Sequence, residues 1–350
     1  MPEPPVLCRT RGALGHITLN RPQAINALTL EMIQAIAAVL DAWEDDPAVA
    51  VVVLDGAGPR GLCAGADIVA LRESALGDGE AARRFWRDEY ALVARIARFP
   101  KPVVTIMDGV TMGGGVGLAG HARHRVATDR LVWAMPEVTI GLIPDVGGTW
   151  LLSRTPGEVG THLALSAQRV GAGDAVACGL ADAFVPHDAI DRLVEQLCDG
   201  DVAAIADVAR DPGPSALCAQ QGLWDACYAG DDARAIVARL RQADDADADA
   251  AAARIEAASP TSVTATLHGL RRARLLPDLE ACLALEYELC CFMLQTPDFP
   301  EGVRAAVVDK DRQPRWSPAG LAETMATTSA PPFGPGETYR AAAIGGTVHP

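Results

Sequence analysis

The sequence contains no apolar run long enough to span a lipid bilayer, although 49% of its 350 residues are hydrophobic. Its N-terminus also lacks the charged-then-apolar pattern that is typical of a secretory signal peptide. The nine cysteines form no C-x-x-C pair, and such a set without a secretion signal indicates reduced, mostly buried thiols. We therefore expect a cytoplasmic protein without a membrane partner.

Basic residues are fewer than acidic ones, 30 against 45, so the formal net charge is −15. This charge argues against nucleic acid as a partner, because a phosphate backbone requires a basic surface. An anionic small ligand would need a local basic patch, for which Arg60, Arg72 and residues 83–87 are candidates, although a solvated surface explains these arginines equally well. His121 and His124 lie three residues apart without a third ligand nearby, so we expect no bound metal.

Strand and helix patterns alternate over the first two hundred residues. Continuous or alternating apolar runs predict strands at residues 16–20, 50–54 and 103–107. Thr29 is a suitable N-cap for a helix that runs to about residue 45, and a second amphipathic helix is predicted over residues 79–98. This alternation predicts an α/β fold with a core over residues 6–200.

The composition changes after about residue 200, where helical patterns replace the alternation. Two helices are predicted at residues 261–274 and 278–295, within a helical C-terminal region over residues 201–317. The Asp/Ala stretch at residues 244–253 predicts a solvated helix or a linker. Proline, glycine, alanine and threonine dominate further on, so residues 318–350 are predicted to form a flexible tail.

Two glycine-rich segments follow predicted strands. Residues 115–120 match G-x-G-x-x-G, and residues 56–61 nearly do, but neither segment leads to the second strand and acidic residue of a dinucleotide site. Glycine and alanine also let a ligand approach the main chain, so the N–H groups of Ala66 and Gly114 could form an oxyanion hole. Tight turns that pack a helix against a sheet explain either segment taken alone.

Several longer motifs occur in a fixed order along the chain. They are I-T-L-N-R-P at 17–22, N-A-L at 26–28, G-L-C-A-G-A-D at 61–67, T-M-G-G-G-V-G at 111–117, A-M-P-E at 134–137 and G-L-I-P-D-V-G-G at 141–148. S-P-T-S at 259–262, D-F-P-E-G-V-R-A at 298–305 and D-K-D at 309–311 follow. With these motifs, residues 6–318 resemble the crotonase (enoyl-CoA hydratase/isomerase) superfamily, and within it the 3-hydroxyisobutyryl-CoA hydrolases.

The resemblance implies a fold and a set of site residues. The fold is a crotonase-like spiral of ββα units with a helical C-terminal region, assembled as a homo-oligomer (a trimer or a dimer of trimers). Ala66 and Gly114 would supply the oxyanion N–H groups, Glu137 the principal catalytic carboxylate and Asp145 its partner, while Glu89 would contact the substrate. The segment along coenzyme A would comprise Ala64, Ala66, Asp67 and Ile68.

Gly117 bears on which reaction the resemblance implies. Superfamily hydratases carry one glutamate at the position of Gly117 and another at that of Glu137, because hydration needs one group to deprotonate water and a second proton source. Thioester hydrolysis is less demanding, since a thiol with a pKa of about 8.5 leaves with little protonation. The resemblance therefore implies an acyl-CoA thioester hydrolase, with 3-hydroxyisobutyryl-CoA of valine degradation as substrate and no further cofactor.

Three alternatives stay open. Enoyl-CoA isomerisation needs one carboxylate, which Glu137 would supply, although Asp145 is a poor lining for an apolar acyl tail. Enoyl-CoA hydration is disfavoured by Gly117. A silent acyl-CoA-binding protein would have no need of both Glu137 and Asp145, unless Asp145 is only a helix N-cap.

Overall fold

A six-stranded sheet forms the centre of the molecule in the computed structural model, which describes residues 3–324. The described residues contain eight strands, of which six form this sheet. They are β1 Val6–Arg11, β2 Leu14–Leu19, β3 Val51–Gly56, β4 Val103–Met107, β5 Val110–Met112, β6 His124–Ala127, β7 Val132–Ala134 and β8 Ala183–Phe184. The sheet order is β1-β2-β3-β4-β6-β8. Only β1 and β2 pair antiparallel, the other neighbours are parallel, and β5 and β7 form a separate parallel pair.

Helices surround this sheet and make up the C-terminal region. They are α1 Leu30–Glu44, α2 Ile68–Ala75, α3 Glu80–Arg98, α4 Gly114–Gly120, α5 Gly148–Leu152, α6 Val159–Ser166, α7 Ala172–Ala177, α8 Ile190–Leu197, α9 Ala204–Val208, α10 Ala216–Ala219, α11 Gln221–Cys227, α12 Ala233–Gln242, α13 Ala246–Ala257, α14 Pro260–Ala273, α15 Leu279–Met293 and α16 Asp298–Val303. Short 3-10 helices occupy Pro22–Ala24, Glu137–Ile140 and His187–Ala189, and a π-helical turn occupies Arg304–Val308.

The observed elements follow from the sequence patterns. Both faces of β4 are buried, as expected for an apolar central strand of a parallel sheet. Thr29 caps α1, because its hydroxyl accepts the N–H of Met32 at 3.3 Å. The α/β fold class is confirmed, and β2, β3, β4, α1, α3, α14 and α15 lie where strands and helices were predicted.

Helix α13 corrects the interpretation of the Asp/Ala stretch. Ala248, Ala251, Ala252 and Ile255 are buried against neighbouring helices, so the segment is a packed helix and the linker alternative is wrong. Alanine side chains allow this helix to lie close to α6 and α12, a role that its high Asp content conceals.

The C-terminal helices pack back onto the N-terminal core. Helix α15 contacts α3 and α5, α14 contacts α5, and α16 contacts α2. This packing brings side chains from beyond residue 250 next to loops that follow the sheet strands. Within residues 3–324, no helix is long and apolar enough to cross a membrane. Residues 325–350 of the predicted tail lie outside the described residues, and the division at residue 200 stays a prediction.

Candidate active site

Three acidic side chains meet in the protein interior. Glu89 lies on α3, Glu137 begins a 3-10 helix and Asp145 lies in the turn before α5, with 1%, 5% and 5% of their surfaces exposed. A Cβ atom added at Gly114 would lie 2.6 Å from Oε1 of Glu89, and one at Gly113 would lie 2.9 Å from Oε1 of Glu137. The two adjacent glycines therefore lie directly against the ends of the two glutamate side chains.

The two predicted oxyanion donors lie at this same place. The Cβ position of Gly114 is 3.5 Å from the nitrogen of Ala66. Gly114 is the first residue of α4, so its N–H has no acceptor within the helix. In the parallel bridge to Leu28, the carbonyl of Gly65 and the N–H of Asp67 make the hydrogen bonds, which leaves the N–H of Ala66 directed to the opposite side. The loops thus bring two backbone donors together.

Burial controls the charge of the three carboxyl groups. It raises the pKa of Glu89 and of Glu137 well above that of an ordinary glutamate, and the nearby carboxylate of Asp145 adds to both shifts. Burial also raises the pKa of Asp145, to about 6, against the lowering effect of a hydrogen bond from Tyr90. Burial and mutual repulsion therefore both favour the neutral forms of these carboxyl groups.

Two carboxyl oxygens in the cluster have no protein partner. Within residues 3–324, the buried Oε1 of Glu89 and Oε2 of Glu137 make no hydrogen bond. Buried polar atoms are normally satisfied, so these two oxygens are available to a bound ligand or water. Oδ2 of Asp145 differs, because it accepts the hydroxyl of Tyr90 at 2.7 Å.

The turn at residues 145–148 points Asp145 into the cluster. Val146 has a φ of 53° and Gly147 a φ of 77°, and the left-handed conformation costs a residue such as valine about 1–2 kcal/mol. Gly147, and not Asp145, occupies the N-cap position of α5. Within the described residues, no side chain at that position makes a capping hydrogen bond to the helix. The N-cap alternative for Asp145 is therefore wrong.

Val146 also closes the position at which the resemblance implies a second glutamate in hydratases. A Cβ atom at Gly117 would lie 2.6 Å from Cβ of Val146, closer than side-chain atoms pack. Gly117 lies in the middle of α4, and the whole helix is buried. The missing carboxylate is thus replaced by a packed valine rather than by open space.

Other residues that the sequence singled out have the following surroundings. Ala64 is exposed, Asp67 pairs with Arg21 at 3.2 Å, and Ile68 begins α2, so their placement along coenzyme A stays a prediction. Of the arginines, Arg60 donates to the carbonyls of Pro22 and Gln23, Arg72 to that of Pro300 and Arg83 to Glu80. Cys63 is fully buried as predicted, and burial raises the pKa of its thiol to about 12, which makes it a poor nucleophile.

Sequence reasoning missed two polar residues beside the cluster. Tyr90 directly follows Glu89, and its role as donor to Asp145 depends on tertiary packing. Glu286 is fully buried on α15 and accepts backbone N–H groups of Gly147 and Thr149. The helical pattern could have predicted that Glu286 is buried. Glu286 lies on the same face of α15 as Cys282, Cys290 and Met293, which are all buried.

Comparison with known proteins agrees with this architecture. The sequence model of the family described as enoyl-CoA hydratase/isomerase matches residues 14–332. The chain belongs to the enoyl-CoA hydratase/isomerase family. It is 37% identical to the protein named 3-hydroxyisobutyryl-CoA hydrolase, mitochondrial, from Danio rerio (91% of this chain, 86% of the relative), and 37% identical to the protein of that name from Homo sapiens (91% and 85%).

Two solved structures that are similar to this chain carry other names. The structure described as a carnitinyl-CoA dehydratase from Mycobacterium thermoresistibile is 49% identical, with a TM-score of 0.90 over 93% of this chain and 94% of that one. An enoyl-CoA hydratase from Rhodobacter sphaeroides is 43% identical, with a TM-score of 0.87 over 92% and 95%. The crotonase-like fold is therefore confirmed, while the names of similar proteins divide between hydrolysis and hydration or dehydration.

Replacing Gly117 with alanine tests whether Val146 closes this position. Alanine in a helix normally gains about 1 kcal/mol over glycine, but here overpacking against Val146 should lower the free energy of unfolding by about 1–3 kcal/mol. Gly222 on α11 is the matched control, because a Cβ there meets no atom within 4 Å, and G222A should be neutral or stabilising. Urea denaturation measures both, and a G117A protein as stable as G222A would show that the position is open.

Proposed function

We propose that this chain hydrolyses an acyl-CoA thioester, with 3-hydroxyisobutyryl-CoA as its substrate. The observation that carries the proposal is the packing of Val146 against Gly117, which leaves no room for the second glutamate that hydration uses. The names of the curated relatives support the same reaction and the same acyl group. Asp145 supports an acyl chain with a hydroxyl group, because a buried carboxylate favours a hydrogen-bond donor as its neighbour.

In the proposed reaction the thioester carbonyl oxygen accepts hydrogen bonds from the N–H groups of Ala66 and Gly114. These donors stabilise the negative charge that develops on the carbonyl oxygen, by about 3 kcal/mol per donor in comparable enzymes. Glu89 lies beside them, and an ionised carboxylate there would repel the oxyanion. The raised pKa of Glu89 reduces this conflict, because burial favours the neutral form of its carboxyl group.

Glu137 is the proposed base or nucleophile. Its raised pKa makes it a stronger base than an ordinary glutamate once it is ionised. Either Glu137 takes a proton from water while the water oxygen bonds to the carbonyl carbon, or Glu137 itself attacks that carbon and water then cleaves the anhydride. In both routes the C–S bond breaks and the thiolate of coenzyme A leaves. Single-turnover hydrolysis in oxygen-18 water identifies the anhydride route if label appears in Glu137, because water that attacks the Glu137 carbonyl of the anhydride leaves its oxygen on the enzyme, whereas the general-base route places label only in the product acid.

Hydration of an enoyl-CoA is the second candidate, because the two solved structures described above are named for hydration or dehydration. The proposed site would have to supply the second proton from Glu89 or Asp145, since Gly117 has no side chain. Isomerisation and silent binding have no comparable support from named relatives.

The remaining expectations are proposals as well. We propose a homo-oligomer, a trimer or a dimer of trimers, and no cofactor besides the coenzyme A of the substrate. The relatives' names place those proteins in mitochondria, and a cytoplasmic location for this chain stays a prediction.

Two assays run in parallel test the proposed function. Free thiol should appear when the enzyme meets 3-hydroxyisobutyryl-CoA, whereas hydration of crotonyl-CoA should be slower in kcat/KM by a factor of about 10² or more, because one of the two proton-transfer groups is missing. Hydration that equals or exceeds thiol release would contradict the hydrolase proposal in favour of the second candidate.

The variant Glu137→Gln tests the assignment of the principal carboxylate. It should lower kcat/KM for thiol release by about 10²–10⁴-fold, since a proton-transfer group or nucleophile is lost. Affinity for the acyl-CoA, measured by calorimetry, should stay close to that of the wild type. Glu31, exposed on α1, is the control for the same substitution. Activity in E137Q equal to that in E31Q would end the assignment.

A further inference from the structure

A fourth carboxyl group, that of Glu286, is buried beside the candidate active site. It lies on α15 with 0% of its surface exposed. Its oxygens accept three hydrogen bonds from the segment after Asp145. Oε2 accepts the N–H of Gly147 at 2.6 Å, and Oε1 accepts the N–H of Thr149 at 2.9 Å and its hydroxyl at 2.5 Å. One side chain thus accepts two backbone N–H groups at the junction between this turn and α5.

The turn depends on such outside support. The left-handed backbone of Val146 is a conformation that persists only where the surroundings hold it. The neutral ring of His121 donates from Nε2 to the carbonyl of Val146 at 3.0 Å, and burial lowers the pKa of this histidine to about 4. The carbonyl of Asp145 in turn accepts the N–H of Gly148 at 2.6 Å. His121 and Glu286 therefore hold the turn at its carbonyl and at its N–H groups.

We propose that Glu286 is a positioning residue, which fixes the turn so that the Asp145 carboxylate stays against Tyr90 and faces the acyl group. Glu286 contacts the turn and not the substrate. The turn requires acceptor oxygens from Glu286, and both the ionised and the neutral carboxyl group provide them. The effect on turnover rests on the proposed function, while the effect on the geometry of Asp145 does not.

A purely structural role is the competing explanation, in which Glu286 only stabilises the start of α5. That role would alter the melting temperature without a specific effect on turnover. A positioning role instead lowers kcat more than it alters KM, because Asp145 is proposed to face the acyl group and not the coenzyme A moiety, whereas a displacement of about 1 Å in the site can cost 10²-fold in rate.

The variant Glu286→Gln tests the proposal directly. Its amide nitrogen would face a backbone N–H, so one hydrogen bond to the turn is replaced by a repulsive contact. We expect kcat to fall by about 10- to 100-fold with KM within about threefold of the wild type. Asp174→Asn is the matched control, because Asp174 also accepts a hydroxyl and a backbone N–H, from Ser215 and Leu217, on a helix packed against β6 and β8. Equal kcat in E286Q and D174N overturns the proposal.

A second pair of variants applies if E286Q does not fold. Thr149→Val removes the hydroxyl that donates to Glu286 and keeps the side-chain shape, whereas Thr149→Ser keeps the hydroxyl. T149V should lose about threefold or more in kcat and T149S should restore it, since one of three hydrogen bonds is removed and returned. Identical kcat values in the two variants overturn the proposal.

A structural measurement separates this proposal from the proposed function. Crystal structures of wild type and the variant should show the distance from the Tyr90 hydroxyl to Oδ2 of Asp145, 2.7 Å in the wild type, increased by about 1 Å in E286Q or T149V. An unchanged distance overturns the positioning role. If the wild type releases no thiol, the hydrolase proposal fails, and kcat of the variants is then compared in the hydration assay. The distance between the Tyr90 hydroxyl and Oδ2 of Asp145 still decides the role of Glu286 in that case.

Discussion

Burying several carboxyl groups side by side is the constraint on which the rest of this structure depends. Each such group loses its hydration, so it must be neutral or must receive hydrogen bonds. The protein uses both solutions. Asp145 receives the hydroxyl of Tyr90 and Glu286 receives three donors from one turn, whereas Glu89 and Glu137 each keep an oxygen without a partner in the described residues. The two incompletely satisfied groups are the ones that lie beside the free backbone N–H groups, as a substrate-binding site requires.

Small residues make this arrangement possible. Gly113 and Gly114 leave space for two glutamates, and Gly117 leaves space for Val146, whose strained turn carries Asp145. Gly117 lacks a side chain of its own, and its absence permits Val146 to pack at this position. The segment that packs against Gly117 through Val146 is the one that carries Asp145. The chemistry of this family member therefore follows from how its backbone segments approach one another as much as from its acidic residues.

The sequence was sufficient for the fold class and the family, and it named Glu89, Glu137, Asp145 and Gly114, which the structure brings together, for identifiable reasons. Ordered motifs named the family, apolar runs located β3 and β4, and Thr29 marked the start of α1. The supporting residues were not foreseen. Glu286 lies about 140 positions from the turn that it holds, and the left-handed conformation of Val146 has no signal in its residue type. The packed helix α13 was concealed because aspartates alternate with the alanines that form its buried face.

The central claim is that burial favours the protonated form of Glu89, next to the oxyanion donors. Infrared difference spectroscopy between wild type and Glu89→Gln tests this most directly, with E31Q as the control for an exposed glutamate. The account predicts that the wild type shows the carbonyl stretch of a protonated carboxylic acid at neutral pH and that E89Q lacks it. A spectrum in which E89Q instead loses only the bands of an ionised carboxylate would contradict the account.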